Sequence, residues 1–111
     1  MKESIIQTAI LQYLAAERIY AIRLNSGMQF GSRNGKNYAV RLSAPGTADI
    51  LALVPCFGSK HLFAPCWLEV KNETGKQSGL QKSFEDDVLE RGHRYFLVRS
   101  VEDVILALES L

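Results

Sequence analysis

Asp49 and the triplet Glu69-Val70-Lys71 are the residues whose types and spacing could support chemistry in this chain. On a strand, alternate side chains share one face, so Glu69 and Lys71 point together, roughly 6.7 Å apart along the chain, while Val70 points into the core. A carboxylate displayed beside an ammonium suits phosphodiester hydrolysis. The carboxylate holds a hard divalent metal, and the lysine positions a water or steadies charge developing on a phosphate. E-x-K triplets on strands are common, and the competing reading is a solvent-facing ion pair worth little. Asp49 alters the balance. It stands at the mouth of the apolar strand Ile50 to Val54, just after the Pro45-Gly46 turn. If its strand pairs with the Glu69 strand, the two carboxylates converge within metal-bonding distance, and Mg²⁺ needs only one or two protein carboxylates because it keeps several waters. Gln81, in the first turn of the next helix, could reach Lys71, a water or a phosphate; alone it would read as an exposed helical residue. Glu3 is either a dipole-compensating acid or a further group leaning over the site.

The elements that must position these residues can be read from periodicity. Ile6, Ala9, Ile10, Tyr13 and Leu14 recur at helical spacing. Tyr20 to Leu24 alternates as a half-buried strand. Asn25 to Asn37 is glycine-rich, with Asn34-Gly35 as a strong turn signal, and predicts a long, basic, exposed loop or loose hairpin leading into a strand at Tyr38 to Leu42. The strand from Asp49 to Val54 follows a turn at 43–48. Another strand runs from Leu62 to Lys71, with Pro65 marking a bend or an edge. Ser78 caps a helix running to about Arg91, with Leu80, Phe84, Val88 and Leu89 as its apolar face, and Gly92 stops it. Tyr95 to Val98 is the last strand. Ser100 opens a short terminal helix with Asp103 in a capping-box-like position and Val104, Ile105, Leu108 and Leu111 facing inward. The order of elements predicts an α/β or α+β fold, a mixed sheet covered by helices, in one domain spanning 1–111.

Composition narrows the class. With 111 residues, 47% hydrophobic and 23% charged, the chain has the make-up of an ordinary globular protein with one core. No apolar run approaches the roughly 18 residues of a membrane span, and the amino terminus does not read as a secretory signal, so a cytoplasmic location is expected. Cys56 and Cys66 form no CxxC pair and, with the distant His61 and His93, no zinc pattern. They read as reduced small hydrophobes; a disulfide between them is possible but unneeded. His61, His93 and Trp67 read as structural, the tryptophan as core or dimer interface. Net charge is only +1, but its distribution is uneven. From Arg18 to Ala48 there are five basic residues, Arg18, Arg23, Arg33, Lys36 and Arg41, and no acid. From Lys82 onward seven acids accumulate. One face is therefore expected to be positive, with Arg23, Arg33, Lys36 and Arg41 contacting phosphates and Phe30 or Tyr38 stacking on exposed bases.

The ordered set Glu3, Arg23-Leu24-Asn25, Gly46-Thr47-Ala48-Asp49, Glu69-Val70-Lys71 and Gln81 resembles the VRR-NUC family of the PD-(D/E)xK nuclease superfamily, in its compact stand-alone phage-type form. The similarity runs over essentially the whole chain and extends to Gly75, Gln77-Ser78, Phe84, Gly92 and Ser100-Val101-Glu102-Asp103. The resemblance implies a restriction-endonuclease-like core of α-β-β-β-α-β order with a short C-terminal helix. It implies Asp49 and Glu69 as ligands of Mg²⁺ or Mn²⁺, with the Val70 carbonyl completing the protein's share. Lys71 would activate or orient the water, Glu3 and Gln81 would support the site, and Asn25 would join the nucleic-acid contacts. It further implies an endodeoxyribonuclease acting as a homodimer on branched DNA such as four-way junctions, with no organic cofactor. One departure is visible: the superfamily's proline before the aspartate is Ala48 here. Two rival readings stand beside this one, a non-catalytic DNA-binding or assembly module on the same fold and an RNA-cleaving relative. The first predicts salt-sensitive DNA binding without metal dependence.

Overall fold

The structure, a computed structural model, describes residues 1–24, 28–41, 44–56 and 58–111. Its elements run α1 (Glu3–Ala16), β1 (Tyr20–Arg23), β2 (Met28–Arg33), β3 (Lys36–Arg41), β4 (Ile50–Pro55), β5 (Phe63–Val70), α2 (Gly79–Glu90), β6 (Arg94–Val98) and α3 (Val101–Glu109). Four strands form one sheet in the order β1-β4-β5-β6, and β2 pairs with β3 as a separate two-stranded ribbon. β1, β4 and β5 are antiparallel neighbours, whereas β6 lies parallel to β5 because α2 carries the chain back across the sheet. The fold is a mixed α/β arrangement with helices on a mixed sheet. No helix among the described residues is long and apolar enough to cross a membrane.

Strand alternation decides which side chains meet which helix. Cys66, Leu68 and Val70 of β5 face one way, with Ile50, Ala52 and Val54 of β4, and join Ile6, Ile10 and Leu14 of α1 and Val104 of α3 in the main core. The three α1 residues are four apart, one stripe of a 3.6-residue helix. Each fully buried aliphatic side chain contributes roughly 1.5–3 kcal/mol. Trp67 of β5 faces the other way and packs with Phe84 and Val88 of α2, Tyr95 of β6 and Ala48. Its ring meets Phe84 edge to face, with centroids 5.0 Å apart. Trp67 is therefore part of this smaller core, and its indole N–H is donated to His93 Nδ1 at 3.0 Å.

Helix ends follow local chemistry. Ser78 accepts from the Gln81 N–H at the start of α2, and Gln81 reciprocates, a complete capping box. At the other end Gly92 takes φ +85°, and the N–H groups of Gly92 and His93 bond the carbonyls of Leu89 and Val88 in a Schellman motif. Arg18 does the same for α1 at φ 59°. In α3, Ser100 caps the Asp103 N–H, while Asp103 reaches the N–H of Arg99 rather than that of the cap residue.

Several sequence expectations shift. From Met28 onward the glycine-rich segment forms a hairpin paired to Arg41, and its second strand starts at Lys36 instead of Tyr38; residues 25–27 lie outside the described residues. Asn34 and Gly35, both at positive φ, form its two-residue turn, whose twist suits paired strands. Leu42 lies outside the described residues. Leu80 and Leu89 do not face the core: they are 61% and 46% exposed, because α2 touches the sheet along the narrow stripe of Phe84 and Val88. Leu111 is likewise exposed, since α3 ends at Glu109 and buries Val104 and Ala107 instead. Pro65 sits inside β5 opposite Leu53, but β6 pairing begins only at Cys66, so the strand is an edge there and tolerates the missing N–H. Both cysteines are free thiols. Burial pushes the Cys66 thiol up to about 11, which makes it an inert core residue.

Candidate active site

The β4–β5 register brings the two carboxylates together. Ile50 pairs with Leu68, so one step further Asp49 stands across from Glu69, both on the α2 face of the sheet. Asp49 Oδ2 accepts the Val70 N–H at 2.8 Å, which extends the ladder one residue before β4 begins and fixes the aspartate side chain. The Asp49 carbonyl in turn accepts the Leu24 N–H at 2.7 Å, so three strands converge on this residue.

Glu69 is 2% exposed. Its Oε2 accepts from Gln81 Nε2 at 3.3 Å and lies 3.7 Å from the Lys71 ammonium. Its Oε1 is buried without any hydrogen-bond partner. Burial, the close approach and charge of the Asp49 carboxyl, and the more distant Glu3 together push the Glu69 carboxyl up to about 8, against the pull of Lys71. A buried carboxylate beside a second one is costly unless a proton or a cation sits with the pair.

Gln81 is fixed from both ends. Its Oε1 accepts the Ser78 N–H at 2.8 Å as part of the capping box, which leaves Nε2 aimed at Glu69. Gln81 is thus a member of the site, and the reading of it as an exposed helical residue is set aside. Lys71, only 12% exposed in its side chain, follows β5 directly, and its N–H bonds the Val98 carbonyl. Glu3 opens α1 and reaches the same corner: a Cβ added at Gly75 would stand 3.2 Å from Lys71 Cδ and 3.3 Å from Glu3 Oε2. Val70 buries its side chain in the main core, as its place between Glu69 and Lys71 predicts.

The structure adds residues that sequence reasoning passed over. Arg99 Nη1 donates to the carbonyls of Asn72 at 2.6 Å and Gly75 at 2.9 Å, and Asn72 Oδ1 accepts the N–H groups of Thr74 and Gly75. The loop after Lys71 is therefore pinned to the end of β6. Asn72 carries a turn signal in its residue type; Arg99 carries none, since its partners lie 24 and 27 residues away. Gln77 Nε2 bridges Glu85 and the Tyr95 hydroxyl, and burial pushes that buried phenol up to about 12.

The expected nucleic-acid contacts divide. Arg23 is exposed at the end of β1 and pairs with Ile50, so it lies on the main-core face of the sheet and not on the α2 face that carries Asp49 and Glu69. Arg33 and Lys36 lie at the tip of the β2–β3 hairpin, away from the carboxylates. Asn25 and the Arg41 side chain lie outside the described residues.

The donor set suits a hard cation. Among the described residues no three His, Cys, Asp or Glu side chains form a metal cage. Two converging carboxylates, one with an orphaned buried oxygen, match the habit of Mg²⁺, which keeps most of its waters. No family model matches the chain, and no curated protein or solved structure matches it either.

Proposed function

We propose that the protein is a metal-dependent endodeoxyribonuclease with a PD-(D/E)xK core of VRR-NUC type, acting in the cytoplasm as a homodimer on branched DNA such as four-way junctions. The observation that carries the reading is the cross-strand placement of Asp49 against the buried Glu69, whose Oε1 has no partner. The strand and helix order supports it as well. With the β2–β3 hairpin set aside, the sheet strands and the first two helices run α-β-β-β-α-β, the order that the resemblance implies.

In this reading Asp49 and Glu69 would hold Mg²⁺ or Mn²⁺, with the Val70 carbonyl as a third protein ligand. The cation, when bound, supplies Lewis-acid stabilisation of charge on the scissile phosphate. The chain's own groups do the rest. The Val70 N–H holds Asp49 in place, and Gln81 orients the Glu69 carboxylate. Lys71 orients the attacking water and steadies charge on the phosphate in the transition state, from a position where only 12% exposure limits screening. Glu3 sets the local charge beside Lys71. Arg23, at the same end of the sheet but on its other face, contacts a phosphate outside the cleavage site.

The test is incubation of the purified protein with linear, flap and four-way-junction DNA in Mg²⁺, Mn²⁺ or EDTA. Cleavage is expected only with metal, and Asp49→Ala, Glu69→Ala and Lys71→Ala are each expected to lower it about 100-fold or more while circular dichroism stays native. Activity that survives in EDTA or in Asp49→Ala would sink the mechanism. Salt-sensitive DNA binding without cleavage would leave the non-catalytic module, and a strict monomer at micromolar concentration would remove the junction-resolving version.

A further inference from the structure

The β2–β3 hairpin carries a second, separate arrangement. Its strands pair with each other and pack closely against no other described element, so its side chains serve no core of the body. The register sorts them into two faces. Gly31 lies opposite Tyr38 and Arg33 opposite Lys36 on one face; Phe30, Ser32, Asn37 and Ala39 occupy the other. Tyr38 lies over Gly31 so closely that a Cβ there would collide with the tyrosine hydroxyl and ring carbons. The glycine backbone therefore covers one side of the ring, while the residue stays 47% exposed. Arg33 and Lys36 stand two residues nearer the turn on the same face as the ring, and an open concavity of about 720 Å³ at this end of the hairpin is lined by these three residues with Asn34 and Asn37.

We infer that this hairpin face is a binding site for an unpaired nucleobase with its neighbouring phosphates, Tyr38 being the stacking platform and Arg33 and Lys36 the phosphate contacts. A ring laid on glycine is already ordered, so a base stacking on it costs little additional conformational entropy. A cationic groove beside an aromatic platform is what single-stranded nucleic acid needs, because every unpaired base offers a π-face. A duplex offers none along its length, its bases being stacked on one another. The two-stranded ribbon is narrow enough for a major groove, and that is the rival the test must separate. The inference takes only the ligand class, nucleic acid, from the nuclease reading, and its test needs no cleavage.

Fluorescence anisotropy in EDTA, with dye-labelled oligo(dT), oligo(U) and a duplex of equal length, decides the matter. Tyr38→Ala and Tyr38→Leu should each weaken single-strand binding about tenfold, Tyr38→Phe should restore it, and duplex affinity should not move. Leucine keeps an apolar side chain over Gly31, so a loss common to both variants reports the missing ring and not a melted hairpin. Binding of oligo(dT) or of oligo(U) through Tyr38 supports the site and tells which sugar it prefers. Unchanged single-strand affinity in both variants, an equal loss on duplex, or binding of neither oligomer would overturn it. Cleavage assayed separately in Mg²⁺ reads the nuclease proposal, so either can fail while the other stands.

Discussion

Gln81 serves two partners with one amide. Its carbonyl end caps α2 through Ser78, and its NH₂ end reaches Glu69. A glutamate could do the first but not the second, which separates helix stability from site chemistry. Gln81→Glu is expected to keep the helix cap, because the capping box survives, and in Mg²⁺ to stay within about 1 kcal/mol of the parent, while in EDTA the added carboxylate beside Glu69 should cost more. It should lower metal-dependent cleavage at least about tenfold by replacing a donor with a third acid beside Asp49 and Glu69. Gln81→Ala should lose about 1 kcal/mol from the cap as well. Full activity in Gln81→Glu would show that the N–H is not needed. Glu69 offers a second test, in the sign of its pH dependence. Its folded carboxyl titrates at about 8, above the ordinary 4.5, so the folded state binds this proton more tightly than the unfolded chain does. The stability it lends is full below about pH 4.5 and is lost as pH rises through about 8. Glu69→Gln removes that loss. In EDTA at pH 8 it should be more stable than the parent by about 2 kcal/mol, with the gap closing toward pH 5. Thermal melts across that range check it, and a gap that does not change with pH would mean that burial of Glu69 is not the cause.

At the scale of elements, the loop before Asp49 is pressed against the start of α2. Gly46 takes φ +84°, and a Cβ there would collide with the Leu80 carbonyl and stand 3.0 Å from the Gln81 nitrogen. Gly46→Ala is therefore expected to cost about 2 kcal/mol, from the left-handed backbone and from backbone displacement together. It should also lower cleavage more than that loss of stability explains, since Asp49 and Gln81 move apart. Gly92 is the control: it has nearly the same φ but open space around it, so Gly92→Ala should cost only about 1 kcal/mol and leave cleavage intact. Urea titrations and metal-dependent assays on both variants read the difference. The same region explains what could be read in advance. Apolar periodicity located α1 and β4, because each has a one-sided stripe, while β5 and β6, buried on both faces, stood out as apolar runs; the Asp49–Glu69 meeting followed once β4 and β5 were paired. The Ser78 cap and the Gly92 stop were legible because caps are local. The exposure of Leu80 and Leu89 was not, since it depends on how little of α2 the sheet covers. Arg99 and Gly46 act through backbone groups distant in sequence, which no spacing encodes. The turn at Asn34-Gly35 was legible because it is local, whereas Gly31 resembles mobility until the cross-strand Tyr38 is seen to lie over it.

The whole molecule is less compact than its length requires. The radius of gyration is 15.6 Å and the long axis 53 Å, against about 13 Å expected for a compact chain of this size. The hairpin accounts for the difference in physical terms: six-residue strands reach about 20 Å and add nothing to either core. An isolated two-stranded ribbon is marginal in water, so its hydrogen bonds are not backed by the cooperative stability that protects β4, β5 and β6. Two units of different stability are expected in one chain. Native-state hydrogen exchange should find the amides of Phe30 to Ala39 exchanging through local opening, with rates unaffected by Ile10→Val or Val104→Ala. Amides of β4 and β5 should exchange through global unfolding and speed up with those core substitutions, which should cost about 1–3 kcal/mol each. Saturating single-stranded oligonucleotide in EDTA should then slow exchange in the hairpin far more than in the sheet, because ligand binding stabilises only the opening unit to which it is coupled. Hairpin amides that respond to Ile10→Val as strongly as the sheet does would make the ribbon part of the main cooperative unit, and its exposed Tyr38 face would then need another explanation.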